Sequence, residues 1–125
     1  NHNTGHKVPG GARRQVWLEV IVVDSKGEER VVSGRLDKGY LPKDSRVFVK
    51  KSGYMHGEPV GLKFWRVEKI LKDTRISPDE TRVESFALPA DLSYPITAKV
   101  KVNYRAFPKS LTEESVKVVS SSIIV

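Results

Sequence analysis

The chain has no cysteine, which excludes disulfides, thiolate metal sites, a cysteine nucleophile and covalent haem attachment through Cys-x-x-Cys-His within its 125 residues. Histidine is scarce: His2, His6 and His56 are the only three, and two of them fall in the first six residues. No apolar run approaches the ~18 residues of a membrane-spanning helix, so no membrane span is expected. Catalytic signatures are missing as well. There is no Gly-x-Ser-x-Gly, no His-Glu-x-x-His, no Gly-rich phosphate loop and no Gly-x-Gly-x-x-Gly. A hydrolase needs a nucleophile, a base and an orienting group in reach of one another, and the serines here lie in turns without such company. The chain is therefore read as no enzyme.

What is present is a mixed, basic surface around an ordinary apolar fraction: 22 Lys and Arg against 15 Asp and Glu, a net charge of +7, and 38% hydrophobic residues. That composition is globular rather than disordered, and the length suits one domain. The excess of positive charge favours acidic partners. Nucleic acid is not the expected one, because the aromatics that would stack on bases lie at strand positions that a core would claim. These are Trp17, Phe48, Phe64, Trp65, Phe86 and Tyr104.

Strand signals dominate. Gln15 to Asp24 is dense in β-branched and aromatic residues, Asp24-Ser25-Lys26-Gly27 closes it as a turn, and Glu28 to Leu36 reads as the returning strand. Further strands are expected over Arg46 to Lys50, Val60 to Ile70, Thr81 to Leu88 and Ile96 to Arg105. In the last, Ile96, Ala98, Val100, Val102 and Tyr104 alternate with Thr97, Lys99, Lys101 and Asn103, which predicts one face in the core and one in water. On the polar side Lys99, Lys101 and Arg105 make an exposed basic row, which keeps anionic-polymer binding open as a further reading. A helical turn is expected from Ser110, and strand character returns at Val116 to Val119 and Ile123 to Val125. The sum is an all-β chain, an immunoglobulin-like antiparallel β-sandwich. Its core is expected to include Trp17, Leu18, Val20, Val22, Phe64, Phe86, Leu88, Val100 and Val102. An N-terminal loop, residues 1–14, precedes a single sandwich domain, residues 15–125.

Histidine is the default metal ligand because neutral imidazole offers a directed lone pair, although a loop histidine among Gly and polar neighbours is ordinarily just solvated. His6 is the first candidate metal ligand. His2, joined to a free amine on Asn1, is a second, for a copper-like ion, and His56 beside the Met55 thioether a third. The run from Asp73 to Glu80 carries three carboxylates, read as a turn with an Asp–Arg pair or as donors to calcium.

The opening Gly5-His6-Lys7-Val8-Pro9-Gly10-Gly11, then Arg14-Gln15-Val16-Trp17-Leu18-Glu19-Val20, Asp24-Ser25-Lys26-Gly27 and Ser33-Gly34, resembles the β-sandwich domain of multihaem c-type cytochromes related to the cytochrome c-554 family. Gly61 with Trp65, Asp73-Thr74-Arg75-Ile76-Ser77-Pro78 and Phe86-Ala87-Leu88-Pro89 extend the likeness over roughly residues 3 to 107. The resemblance implies an accessory structural or docking domain of a periplasmic or extracellular electron-transfer protein. Its partner would be a haem-bearing cytochrome segment or subunit, and its cofactor a haem c held by that other segment or chain. His6 is implied as an axial, cofactor-binding ligand supplied from the sandwich. Without Cys-x-x-Cys-His the chain departs from the family in holding no haem covalently. Either haem-bearing segments preceded Asn1, which is the preferred expectation, or the module is cofactor-free. From a different class comes an extracellular adhesion or filament-assembly module, a homo-oligomer built by strand pairing, motivated by the apolar Ile123-Ile124-Val125.

Overall fold

The computed structural model describes residues 1–11, 13–61 and 63–111. Its centre is β1, Gln15–Val23, in which only Gln15 and Glu19 interrupt a run of apolar side chains. A strand so apolar on both faces must sit inside a sheet. Antiparallel partners flank it on both sides. β2 (Glu29–Ser33) pairs with Val20 to Val23, β3 (Arg46–Phe48) pairs with Val16 to Leu18, and β6 (Thr97–Arg105) runs along the whole opposite edge, from Gln15↔Arg105 to Val23↔Thr97. A second ribbon joins β4 (Lys50–Gly53) to β5 (Lys69–Asp73). All pairings are antiparallel and the regular structure is almost entirely strand, so the all-β expectation holds.

The β1–β2 turn follows the sequence expectation. Oδ1 of buried Asp24 accepts the backbone N–H groups of Lys26 (2.9 Å) and Glu28 (3.0 Å), and Gly27 takes the positive φ of 81° that the turn requires. Burial pushes the Asp24 carboxyl up, but the N–H groups of Glu28, Lys26 and Ser93 outweigh it and hold the carboxyl below its ordinary range.

Ser33 and Gly34 stand where β2 leaves β1 and β3 takes its place. The Ser33 hydroxyl donates to the Leu18 carbonyl (3.1 Å) and accepts from the Arg46 N–H (3.0 Å), tying three strands together. At Gly34, φ is 74° and a Cβ would lie 2.1 Å from the Leu18 carbonyl oxygen, so only glycine fits. Its own carbonyl receives the Trp17 indole N–H at 2.9 Å.

The buried core is Val16, Trp17, Val20, Ile21, Val22, Phe48, Val49, Val60 and Leu92. Of the expected core, Trp17, Val20 and Val22 are buried, while Leu18 and Phe86 are half-buried. Phe64, Leu88, Val100 and Val102 are exposed, contrary to expectation. The alternation of β6 is real, but β6 lies at the sheet's border. Nothing among the described residues covers its apolar face, and Val102 is 72% exposed. Arg105, expected in the exposed row, is half-buried instead, with its guanidinium 5.3 Å from the Trp17 ring.

Of two further expected strands, Val60 to Ile70 is extended only from Lys69, as the start of β5, and Thr81 to Leu88 is absent. Ahead of β5, Gly61 takes φ 57° and Phe64–Arg66 forms a 3-10 turn. Residues 81–88 are held by side chains rather than a ladder: Arg46 reaches the Ser85 carbonyl (3.2 Å) and the Glu84 carboxylate (3.0 Å) and covers the Phe86 ring. A helical turn opens at Lys109 and is described as far as Leu111. The expected strands at Val116 to Val119 and Ile123 to Val125 lie outside the described residues.

Candidate functional site

The N-terminal loop is sewn to the end of β5 rather than hanging free. Val8 and Ile76 exchange both backbone hydrogen bonds at 2.9 Å. The Asn1 side-chain amide donates to the Ile76 carbonyl (2.9 Å), the Asn1 backbone nitrogen donates to the Glu80 carbonyl (3.1 Å), and the Asp79 N–H returns a bond to the Asn1 carbonyl (2.8 Å). An ion pair between Lys7 and Asp73, at 3.2 Å, adds to this seam.

The Asp73-to-Pro78 run supplies the other half of it. Arg75 grips Asp73 through both carboxylate oxygens, Nε at 2.8 Å and Nη2 at 2.7 Å, a geometry that makes such a pair directional as well as charged. The Arg75 guanidinium holds the Asp73 carboxyl well below the usual carboxylate range, with Lys7 helping and burial opposing. Between them Thr74 bonds the β3–β4 junction: its hydroxyl donates to the Val47 carbonyl (2.9 Å) and accepts the Val49 N–H (3.1 Å). Glu80 is likewise spent on the Ser77 N–H and on Arg82, which together depress its carboxyl. Two of the three carboxylates of this run, Asp73 and Glu80, thus serve as structural anchors, while that of Asp79 stands in solvent. Among the described residues no group of three or more His, Asp or Glu lies close enough to share a metal ion.

His6 stands at the crest of the loop, exposed. Its Nδ1 lies 2.9 Å from the Lys7 carbonyl oxygen. A carbonyl can only accept, so Nδ1 carries the proton and the neutral ring keeps its lone pair on Nε2, for which no partner is found among the described residues. The His6 carbonyl is fixed by the Asn1 amide and the Thr4 hydroxyl, each at 3.1 Å. Gly10 leaves room for the ring: a Cβ there would touch Cε1 and Nδ1 at 3.4 Å. Of the three loop glycines only Gly11 takes a positive φ, 82°, so Gly10 serves by its small size and not by its backbone freedom.

The remaining histidines are placed differently. His2 faces the Asp79 carboxylate at 3.7 Å, fully in solvent, while the Asn1 nitrogen is engaged by Glu80. His56 and Met55 sit exposed on the β4–β5 hairpin loop, where Gly57 closes a turn on Tyr54. The supporting roles of Asn1, Lys7 and Ile76 were not legible in the chain; they depend on residues 66 to 79 positions apart meeting in space. Comparison with protein-family models, with curated proteins and with solved structures finds no match.

Proposed function

We propose that the chain is an accessory docking domain of an extracytoplasmic multihaem cytochrome, an immunoglobulin-like sandwich that presents His6 as an axial ligand to a haem c held by another segment or chain. The observation that carries this reading is the His6 ring, exposed and with Nδ1–H given to the Lys7 carbonyl. Metal-bound histidines ordinarily donate their second nitrogen in this way, which fixes the tautomer and makes the other nitrogen more basic. The single donor that the His6 ring offers, Nε2, fits one axial position, and such a ligand tunes the redox potential of the iron it binds. The chain's own contribution is positional: the Val8–Ile76 pairing and the Lys7–Asp73–Arg75 chain of charges hold the loop at a set place on the domain.

The test is a titration of the chain with a ferric haem peptide that carries one histidine and an open sixth position. Conversion from high-spin to low-spin absorption in wild type and His56→Ala, but not in His6→Ala, is the expected result. Equal conversion by His6→Ala removes the ligand role.

A second reading is favoured by one observation. The apolar face of β6 is uncovered, with Val100, Val102 and Tyr104 at 59%, 72% and 57% exposure, and its outer edge has no ladder partner among the described residues. An open edge backed by apolar side chains is a template for strand addition, which is the basis for an adhesion or filament-assembly module. Sedimentation that reveals concentration-dependent assembly, abolished by deleting Ser122 to Val125, would support it. Assembly indifferent to that deletion removes the tail as the donor strand.

A further inference from the structure

We propose that the cleft between the 40–45 loop and the β4–β5 ribbon binds a small amphipathic oxyanion, its phosphate or carboxylate head held by basic side chains and its apolar body lodged in the hollow next door. The cleft encloses about 320 Å³ and is lined by Lys43, Lys51, Lys72, Arg105 and Lys109. They come from separate parts of the chain: the 40–45 loop, β4, β5, β6 and the turn after it. No Asp or Glu side chain lines it among the described residues. The charged residues elsewhere are largely paired with carboxylates, as at Arg30, Arg46, Arg75, Arg82, Lys99 and Lys101. Lys43, Lys51 and Lys72 make no such pair among the described residues.

Three details mark the cleft as more than a basic surface. Lys51 and Lys72 are direct cross-strand partners in the β4–β5 ladder. Like charges in that position destabilise a sheet, and an anion bridging them would turn the repulsion into attraction. Ser45 is on the cleft wall, and its buried hydroxyl has no hydrogen-bond partner among the described residues. A buried donor left unmet costs about 1–3 kcal/mol, and turning that hydroxyl outward would let an oxyanion in the cleft accept from it. Arg105 is held ready on the same wall, its Nη1 bonded to the Gly39 carbonyl (2.7 Å) and its Nε to Gln15 (2.8 Å), leaving Nη2 of the planar fork for an oxyanion.

The apolar half follows from a second cavity of about 270 Å³. It shares Gln15, Val49, Lys51, Pro108 and Ser110 with the cleft, and Val60, Phe64, Val67 and Leu111 face it. Concave sites of this size, apolar with a few convergent charges, are where small ligands bind. Of the N-terminal loop only Arg13 lines either cavity and His6 lines neither, so this inference stands independently of the cytochrome reading.

Calorimetric titration of the full chain with octyl phosphate and with inorganic phosphate tests it. Octyl phosphate should bind at least about tenfold tighter, from burial of a few methylenes. Its affinity should weaken as salt rises from about 50 to about 300 mM. The Lys51→Glu/Lys72→Glu variant should lose binding by about tenfold or more with an unchanged circular dichroism spectrum, and Phe64→Ala should erase the preference for octyl phosphate alone. Equal affinity for the two probes, binding indifferent to Lys51→Glu/Lys72→Glu, or no binding by octyl phosphate while anionic phosphatidylglycerol vesicles do bind, would each overturn it.

Discussion

β1 and β6 lie side by side in register for nine residues, and the apolar residues of β6 share a face with Val16, Leu18, Val20 and Val22 of β1, yet one strand is the centre of the core and the other is left open by the described residues. Val20 and Val100 make the comparison sharp. They are the same residue type, directly opposite each other across the ladder, and they are 5% and 59% exposed. Alternation tells which side chains share a face; it carries no information on whether another layer covers that face. Coverage comes from position in the sheet. β1 has partners on both edges, whereas β6 is the border among the described residues.

This contrast can be broken at its strongest point first. Trp17→Ala removes a buried ring, its hydrogen bond to Gly34 and its contact with Arg105, and should lower stability by about 3–5 kcal/mol in urea denaturation. Its loss on the same scale as a surface substitution would mean that the β1 core is not packed as described. Next comes the matched pair. Val20→Ala should cost about 2 kcal/mol, and Val100→Ala less than about 0.5 kcal/mol. Near-equal costs would show that β6 is covered in solution by something outside the described residues.

A third expectation concerns the seam that holds the His6 loop. The Asp73 carboxyl is held below its ordinary value of 3.8 by Arg75 and Lys7. Its contribution to stability is therefore complete above that value and is lost as the pH falls below it, through the lower value of the folded state. Asp73→Asn should flatten the acid limb of the stability curve while changing neutral-pH stability by no more than about 1 kcal/mol. An unchanged acid limb would dismiss the pairing. The smallest effect is expected from Lys101→Ala on the polar side of β6, where an exposed ammonium stands at a long 3.8 Å from half-buried Glu19: under about 0.5 kcal/mol, and less still in high salt.

Much of the fold was legible because local chemistry leaves little choice. The β1–β2 hairpin could be read from an apolar run ending in Asp-Ser-Lys-Gly, since Asp24 caps its own turn and Gly27 adopts the positive φ. Residues 81–88 looked like a strand and are not one, because Arg46, distant in sequence, captures their carbonyl and carboxylate groups. The candidate site divides the same way. His6 could be singled out as a lone ligand type on a Gly- and Pro-bounded loop, but its tautomer depends on a 2.9 Å approach to the Lys7 carbonyl. The basic cleft was invisible in the chain, since Lys43, Lys51, Lys72 and Arg105 are scattered over 63 positions and adjoin only after β3, β4, β5 and β6 have paired.

By itself, then, the amino-acid order determined the things that act over a few residues: strand propensity, the Asp24 turn, the exclusion of thiol chemistry and of membrane-spanning helices, and the isolation of His6. The tertiary structure alone decided which apolar face is covered, which carboxylates are spent on arginines, and which lysines are brought together without acids. The physical reason is range. Backbone sterics and turn hydrogen bonds are settled between neighbours, whereas burial and charge pairing depend on what arrives from the far end of the chain.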